Sequence, residues 1–471
     1  MNLKKASFIN AIGKFSTILL NLVVNAILAR ILTPDDYGVV AVITVFSTFF
    51  ATFSDMGFGA AIIQKKDLTQ SDINNIFSFT GYVAVILAIL FLLLSYPISL
   101  FYKNDAYITL GAMLSISLLF SALNMVPNGI INRDKRFVLI AVRTVVVYLS
   151  ASAITIGLAY AGLRYYALAI QAILTSLFTF LWNLLLTRPK FRLHFQMNSI
   201  QKVLNYSGFQ FAFNIVNYFS RNLDNLLTGK FFGDDQLGYY NKAYTLMLYP
   251  VNNLTGVISP VLHPVLSDYQ AELKTIYTKY MKIVRLLALM GLFIAPVCFL
   301  ASEEIICILY GDNWMQTIDC FRLLSLAIIP QMINSSAGAI FQATNNTRLL
   351  FINSCINTAI TVAAILMGIF AGGNIVVLSA CVAVAYNIHF LTAFYMLIRF
   401  TFGFQINAFA KDLLPELMIL AIMIVGVLLY PFHVGNIVLS ALVKGVWMLL
   451  FYCAGLVVSK EYKLLLQLIG K

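Results

Sequence analysis

The chain has 471 residues, of which 61% are hydrophobic and 11% charged, and its net charge is +12. Soluble domains carry about 45–50% apolar and about 25% charged residues, so the composition excludes a soluble protein and points to one embedded in a membrane. In a soluble chain the positive surplus would suggest nucleic acid; here it falls in short loops between apolar segments, where a membrane accounts for it and no nucleic-acid partner is expected.

Lys4 and Lys5 precede the first apolar segment, 8–30, which Lys14, Asn21 and Asn25 interrupt. It is too long for a signal-peptide core and reads as a retained first helix. Helix-length apolar segments follow at 37–62, 75–101, 107–131, 137–161, 164–187, 204–229, 237–263, 279–301, 318–343, 349–371, 373–398, 412–432 and 437–459. That makes about fourteen spans near the 20 residues a bilayer requires. The runs do not alternate, so they predict helices rather than barrel strands. The stretch 268–285 predicts an amphipathic lead-in to the ninth span. Pro127, Pro250, Pro260, Pro264, Pro296 and Pro330 interrupt spans and permit bending between states.

Loop charges orient the spans. With the N-terminus in the cytoplasm, twenty Lys and Arg fall in cytoplasmic loops and tails. Only Arg30, Lys103, Arg164 and Lys230 fall outside. Both termini are then cytoplasmic, and the acidic segment 302–319 lies outside. Seven basic residues remain within spans: Lys14, Arg143, Arg221, Lys242, Arg285, Arg322 and Lys444. Arg285 and Arg322 lie near span ends, within snorkelling reach of the interface.

The chain also repeats itself. The stretch 30-RILTPDDYG-38 aligns with 230-KFFGDDQLG-238 at an offset of 200, and Arg136 and Arg348 occupy equivalent loop-to-helix junctions at an offset of 212. Two six-helix halves, each starting inside, form a parallel repeat, an arrangement that places a substrate site between the halves. The expected organisation is 1–195 and 196–405 as six-helix lobes, with 406–471 as an additional helix pair and cytoplasmic tail.

Polar residues fall on shared helix faces. Gln210, Asn214, Asn217, Arg221, Asp224 and Thr228 follow one another by four or three positions, and so do Lys14, Thr17, Asn21 and Asn25. Shifted by 200, the first-helix stripe lands on Asn214, Asn217, Arg221 and Asn225. The eighth span adds Lys242, Thr245, Tyr249 and Asn252, and the fifth adds Arg143. Bundle interiors tolerate such faces mainly where they line water. Four deep cations, Lys14, Arg143, Arg221 and Lys242, against two acids, Asp224 and Asp55, leave a positive cavity suited to an anionic substrate group. The plainer readings are a structural Arg221–Asp224 salt bridge, a snorkelling Lys14, and an Asp55 that serves helix packing beside its glycines rather than ion coupling.

No GxxxxGK[ST], HExxH or GxSxG stretch occurs, so ATPase, metallopeptidase and hydrolase chemistry have no signature. The six cysteines lack ligand spacing and read as small buried side chains; the four histidines are scattered. No cofactor or metal is expected.

Residues 30–72, RILTPDDYGVVAVITVFSTFFATFSDMGFGAAIIQKKDLTQSD, resemble the start of bacterial polysaccharide repeat-unit flippases. These are the Wzx type, in the lipopolysaccharide/teichuronic-acid export branch of the multidrug/oligosaccharidyl-lipid/polysaccharide (MOP) exporters. The motifs are L-T-P-x-D-x-G, S-D-x-G-x-G-A and I-Q-K-K-D-L-T, and the span plan agrees along nearly the whole chain. The resemblance implies an all-α, MATE-like fold with two lobes in a V. It implies alternating-access transport of an undecaprenyl-diphosphate-linked oligosaccharide across the bacterial cytoplasmic membrane, with a monomer expected. It also implies a lipid-tail groove at the last two spans and leaves room for a polysaccharide polymerase as partner. An ion-coupled small-molecule exporter and a membrane polymerase or ligase are the competing readings. The first would need acids in its cavity, and the second a large outer loop.

Overall fold

The computed structural model describes residues 3–55, 58–65, 68–197, 199–200, 208–255 and 272–469; within these, side chains are described except at 3–15, 55, 60–61, 64, 208–217, 219–220, 465 and 467–469. Every regular element among the described residues is a helix, without strands. Membrane depth permits little else, because each helix satisfies its own backbone.

Helices fall within the described parts of the expected segments. Among the described residues, nine are long and apolar enough to cross a membrane, or ten if a pair bent by 52° counts as one span. Two further apolar helices, Ser16–Ile31 and Leu414–Leu428, are shorter. The protein is thus a multi-pass membrane protein. Contacts divide it into two units, Met1–Gly238 and Tyr239–Lys471.

The first unit holds α1 (Leu3–Ile31), α2 (Pro34–Asp55), α3 (Phe58–Gln64), α4 (Gln70–Tyr102), α5 (Ala106–Leu123), α6 (Met125–Arg133), α7 (Phe137–Tyr160), α8 (Tyr165–Thr187) and α9 (Gly208–Phe232). The next helix, α10 (Asp234–Pro250), begins in it. Local chemistry starts these helices where the sequence says. Thr33 caps α2: Asp36 Oδ2 accepts from the Thr33 backbone N–H at 2.9 Å, while Thr33 Oγ1 accepts from the Asp36 N–H at 3.3 Å. Pro34 occupies the first turn, where its missing N–H costs nothing. Thr69 and Asp72 repeat this reciprocal box at α4. Lys103, Arg188 and Lys460 close helices in the left-handed conformation, and cations there complement the helix dipole.

Helix α9 docks on α2 and α4. Tyr102 donates to the Leu226 carbonyl at 3.0 Å, and Asp234 accepts from Tyr107 at 2.5 Å and from Asn104 at 2.9 Å. The start of the second sequence repeat is therefore built into the first unit.

The second unit continues with α11 (Leu273–Leu300), α12 (Ser302–Leu309), α13 (Met315–Ser325), α14 (Ile328–Asn334), α15 (Ala337–Ala343), α16 (Thr347–Leu366), α17 (Ile375–Met396), α18 (Ile406–Asp412), α19 (Leu414–Leu428), α20 (Ile437–Ser459) and α21 (Tyr462–Ile469). The amphipathic lead-in is continuous with its span from Leu273 onward. The last pair, α19 and α20, packs on α11, where Ile419, Met423 and Met448 join Leu289 and Leu292 in a buried core.

Candidate substrate site

Arg143 lies two turns into α7 and is 7% exposed. Its Nη1 donates to Asn183 Oδ1 on α8 at 2.7 Å and to Asn128 Oδ1 on α6 at 3.3 Å. Its Nε is buried without a hydrogen-bond partner. Asn183 is fully buried, and its Nδ2 donates onward to Asn124 Oδ1 at 2.8 Å. Neutral amides thus hold the guanidinium, and among the described residues no carboxylate pairs with it. A guanidinium keeps its charge in proteins, so this position carries a positive charge that no carboxylate among the described residues compensates.

Three other cations within the spans behave differently. Arg285 on α11 meets Glu416 of α19 at 2.9 Å and also pairs with Glu461. Lys444 on α20 meets Glu304 of α12 at 2.5 Å, and Ser440 donates to the same oxygen at 2.6 Å. Arg322 pairs with Asp319 at 3.2 Å and donates to Ser302 at 3.0 Å. The expected snorkelling of Arg285 and Arg322 gives way to ion pairs within the protein. Arg285's partners lie far off in sequence, which is why spacing did not reveal them, whereas Asp319 stands only three residues before Arg322.

The stripe on α9 divides. Arg221 is exposed, whereas Asp224 and Asn225 are buried, 4% and 6% exposed, and Thr228 is fully buried. Asp224 Oδ1 accepts from the Asn225 N–H at 2.8 Å. No ion pair joins Arg221 to Asp224 among the described residues, so the i, i+3 salt bridge is not formed. Asn25 donates to the Asn21 carbonyl at 2.9 Å, a bond within α1. The side chains of Lys14, Asp55, Gln210, Asn214 and Asn217 lie outside those described.

In the second unit, Lys242 on α10 is 5% exposed, with its ammonium 5.1 Å from the Tyr310 ring centroid and 5.6 Å from that of Trp314. Both rings come from the acidic segment after α11, and Trp314 is fully buried. Cation–π contact of this kind strengthens when water is excluded. Asn252, on the π-turn Val251–Thr255, is exposed. Arg143 and Arg221 belong to the first unit and Lys242 to the second.

Sequence reasoning missed Asn124, Asn128 and Asn183. Asn183 stands alone in an apolar run, and the signal for the other two was the four-residue step from Asn124 to Asn128 and on to Asn132. It also missed the rings around Lys242, because aromatic residues in a membrane protein are too common to stand out. A groove of about 600 Å³ runs between α11, α14 and α19, apolar except for Asn387 and Glu416.

The fold is that of membrane exporters. A lipid II flippase, MurJ, in an inward-closed conformation superposes with a TM-score of 0.75 at 16% identity, over 97% of this chain and 99% of that one. An inward-facing multidrug resistance MATE family transporter of the MOP superfamily gives 0.64 at 13% identity, over 82% and 96%. Residues 27–319, more than half of the chain, match the family described as Polysaccharide biosynthesis protein, and the chain belongs to that family. The teichuronic acid biosynthesis protein TuaB of Bacillus subtilis is 23% identical over 63% of this chain; the match spans 62% of TuaB's length. The lipopolysaccharide biosynthesis protein WzxC of Escherichia coli is 23% identical over 76% of this chain and 73% of its own.

Proposed function

We propose that this protein is a flippase. It moves a polyprenyl-diphosphate-linked oligosaccharide across the bacterial cytoplasmic membrane by alternating access, with both termini in the cytoplasm, for the assembly of a surface polysaccharide. The observation that carries this reading is Arg143. Burying an unpaired cation in a membrane bundle is costly, and such residues mark substrate pathways. Arg285, Arg322 and Lys444 all have carboxylate partners, whereas Arg143 is held by amides that leave its charge available to an anion. A diphosphate supplies that anion. Lys14, Arg221 and Lys242 serve the same anionic head and any acidic sugars at other points on its path. The apolar groove against α19 has the chemistry to take the polyprenyl chain.

The membrane polymerase and ligase readings lack support: they need a large outer loop, and the acidic segment read as outer is a helix of eight residues and a short turn before α13. The test is a knockout. Loss of the protein should abolish the surface polysaccharide and trap its lipid-linked repeat unit in the cytoplasmic leaflet, shielded from enzymes added outside. A polymerase would instead leave single repeat units exposed at the outer surface, and that result would overturn the proposal.

A further inference from the structure

Between α5 and α8 the first unit contains an open cleft of about 450 Å³. Ser117, Ser121 and Asn124 line it from one face of α5 and its C-terminal end; Gln171, Thr175 and Thr179 line it from one face of α8. No charged residue lines it. Amides and hydroxyls make up most of its lining, with Leu168 and Ala172 the apolar exceptions.

The hydrogen bonding there is more telling. Ser and Thr in membrane helices ordinarily donate to a carbonyl one turn back, and many of the others here do so. Thr144, Ser150, Thr155 and Thr187 in the same unit each donate to the carbonyl four residues earlier at 2.7–2.9 Å. Ser121, Thr175 and Thr179 make no such bond and have no other hydrogen-bond partner among the described residues. Asn124 uses its Oδ1 to accept from Asn183, and Gln171 uses its Nε2 to donate to Ser152 at 3.0 Å. The Asn124 amide N–H groups and the Gln171 carbonyl oxygen are thereby left for the cleft. The site offers mixed donors and acceptors with no net charge. Hydrocarbon cannot satisfy such groups, so water or a polar ligand must.

Location narrows the ligand. Asn124, on the wall of the cleft, is joined through Asn183 to Arg143 by two hydrogen bonds of 2.8 and 2.7 Å. On the topology read from loop charges, Arg143 lies toward the cytoplasmic end and the cleft runs from there toward mid-membrane. An amphiphile whose anionic group met Arg143 would place an attached neutral, polyhydroxylated group beside these free hydroxyls.

We infer that the α5–α8 cleft is a carbohydrate subsite that takes the uncharged sugars of the lipid-linked substrate while Arg143 meets its phosphates. The inference rests on the flippase reading and adds a place for the glycan.

The test uses the purified full-length protein and two probes, undecaprenyl diphosphate without sugar and undecaprenyl-diphosphate-linked oligosaccharide extracted from the source cells. Thr175→Val keeps the shape of the side chain and removes its hydroxyl; Ser121→Ala removes the second. Two lost hydrogen bonds should weaken binding of the sugar-bearing lipid by about ten-fold or more. Binding of the sugar-free lipid should stay within about two-fold of wild type by the same reasoning, because neither hydroxyl faces Arg143. An equal loss for both lipids, or no loss for either, overturns the subsite while leaving the flippase reading intact. A wild-type protein that binds neither lipid overturns the flippase reading and the subsite with it. Thermal unfolding of the double variant within a few degrees of wild type confirms that the comparison is between folded proteins.

Discussion

Gly38 and Gly238 meet each other's helices reciprocally. A methyl group built on Gly38 would stand 1.6 Å from the Asp234 carbonyl oxygen, and one built on Gly238 would stand 1.9 Å from the Pro34 carbonyl oxygen. The two glycines lie 200 positions apart, as do Pro34 and Asp234, so the contact obeys the offset of the sequence repeat. The first turns of α2 and α10 cross backbone to backbone, and only glycine permits that approach.

Gly38→Ala and Gly238→Ala should each destabilise the protein. The obstacle is a backbone carbonyl within a helical turn, which cannot move aside as a side chain could. Overpacking of this kind costs about 1–3 kcal/mol or more. Thermal unfolding in detergent measures it. The double variant should lose less than the sum, because both substitutions pry open one crossing.

Asn128→Asp separates the structural from the functional account of Arg143. The substitution puts a carboxylate where Asn128 Oδ1 now accepts from the guanidinium. It pairs the buried charge and should leave stability equal or improved. If the uncompensated charge serves the substrate, surface polysaccharide should nevertheless fall at least ten-fold, measured by glycan staining at matched membrane levels of the protein. Wild-type polysaccharide in Asn128→Asp cells would assign Arg143 a packing role.

Glu304 and Lys444 predict a pH dependence. Burial by itself would raise the Glu304 carboxyl, but the Lys444 ammonium and the Ser440 hydroxyl outweigh it and hold it below the ordinary glutamate value. A carboxyl lowered on folding contributes stability above its unfolded value and loses that contribution as pH falls through its folded value. Melting temperature should therefore drop as pH falls from the ordinary glutamate range into the more acidic range below it. Glu304→Gln should be less stable at neutral pH by about 3 kcal/mol and should lose most of that acid limb.

Arg285→Gln should be more damaging still, because it leaves the carboxylates of Glu416 and Glu461, 5% and 3% exposed, without their cation. Removing one side of a buried pair costs about 3–5 kcal/mol. Adding Glu461→Gln should recover part of the loss, read as the yield of monodisperse protein.

The sequence made some of this legible and hid the rest for physical reasons. Span positions were readable because a bilayer imposes length and apolarity on every helix, and α2, α4, α7 and α20 begin within a few residues of where hydropathy placed them. The Gly38–Gly238 crossing was foreshadowed by the aligned repeat, though alignment could not say that the two copies touch. The α9 stripe was readable as periodicity but not as environment: Arg221 and Asp224 share a face by spacing, yet one is exposed and the other buried. Pairings such as Arg285 with Glu461 join residues on separate helices far apart in the chain, and no local pattern encodes them. The link of Asn124, Asn128 and Asn183 to Arg143 was hidden for the same reason, since the four residues stand on three different stretches of the chain until the helices assemble.

The most direct test of the central claim is transport in proteoliposomes that hold the lipid-linked oligosaccharide in one leaflet, with Arg143→Gln compared to wild type. The account predicts that the variant folds and inserts but moves the lipid at a tenth of the wild-type rate or less, about the effect of losing one charge-assisted contact of 1.4 kcal/mol or more. Transport by Arg143→Gln at the wild-type rate would contradict it.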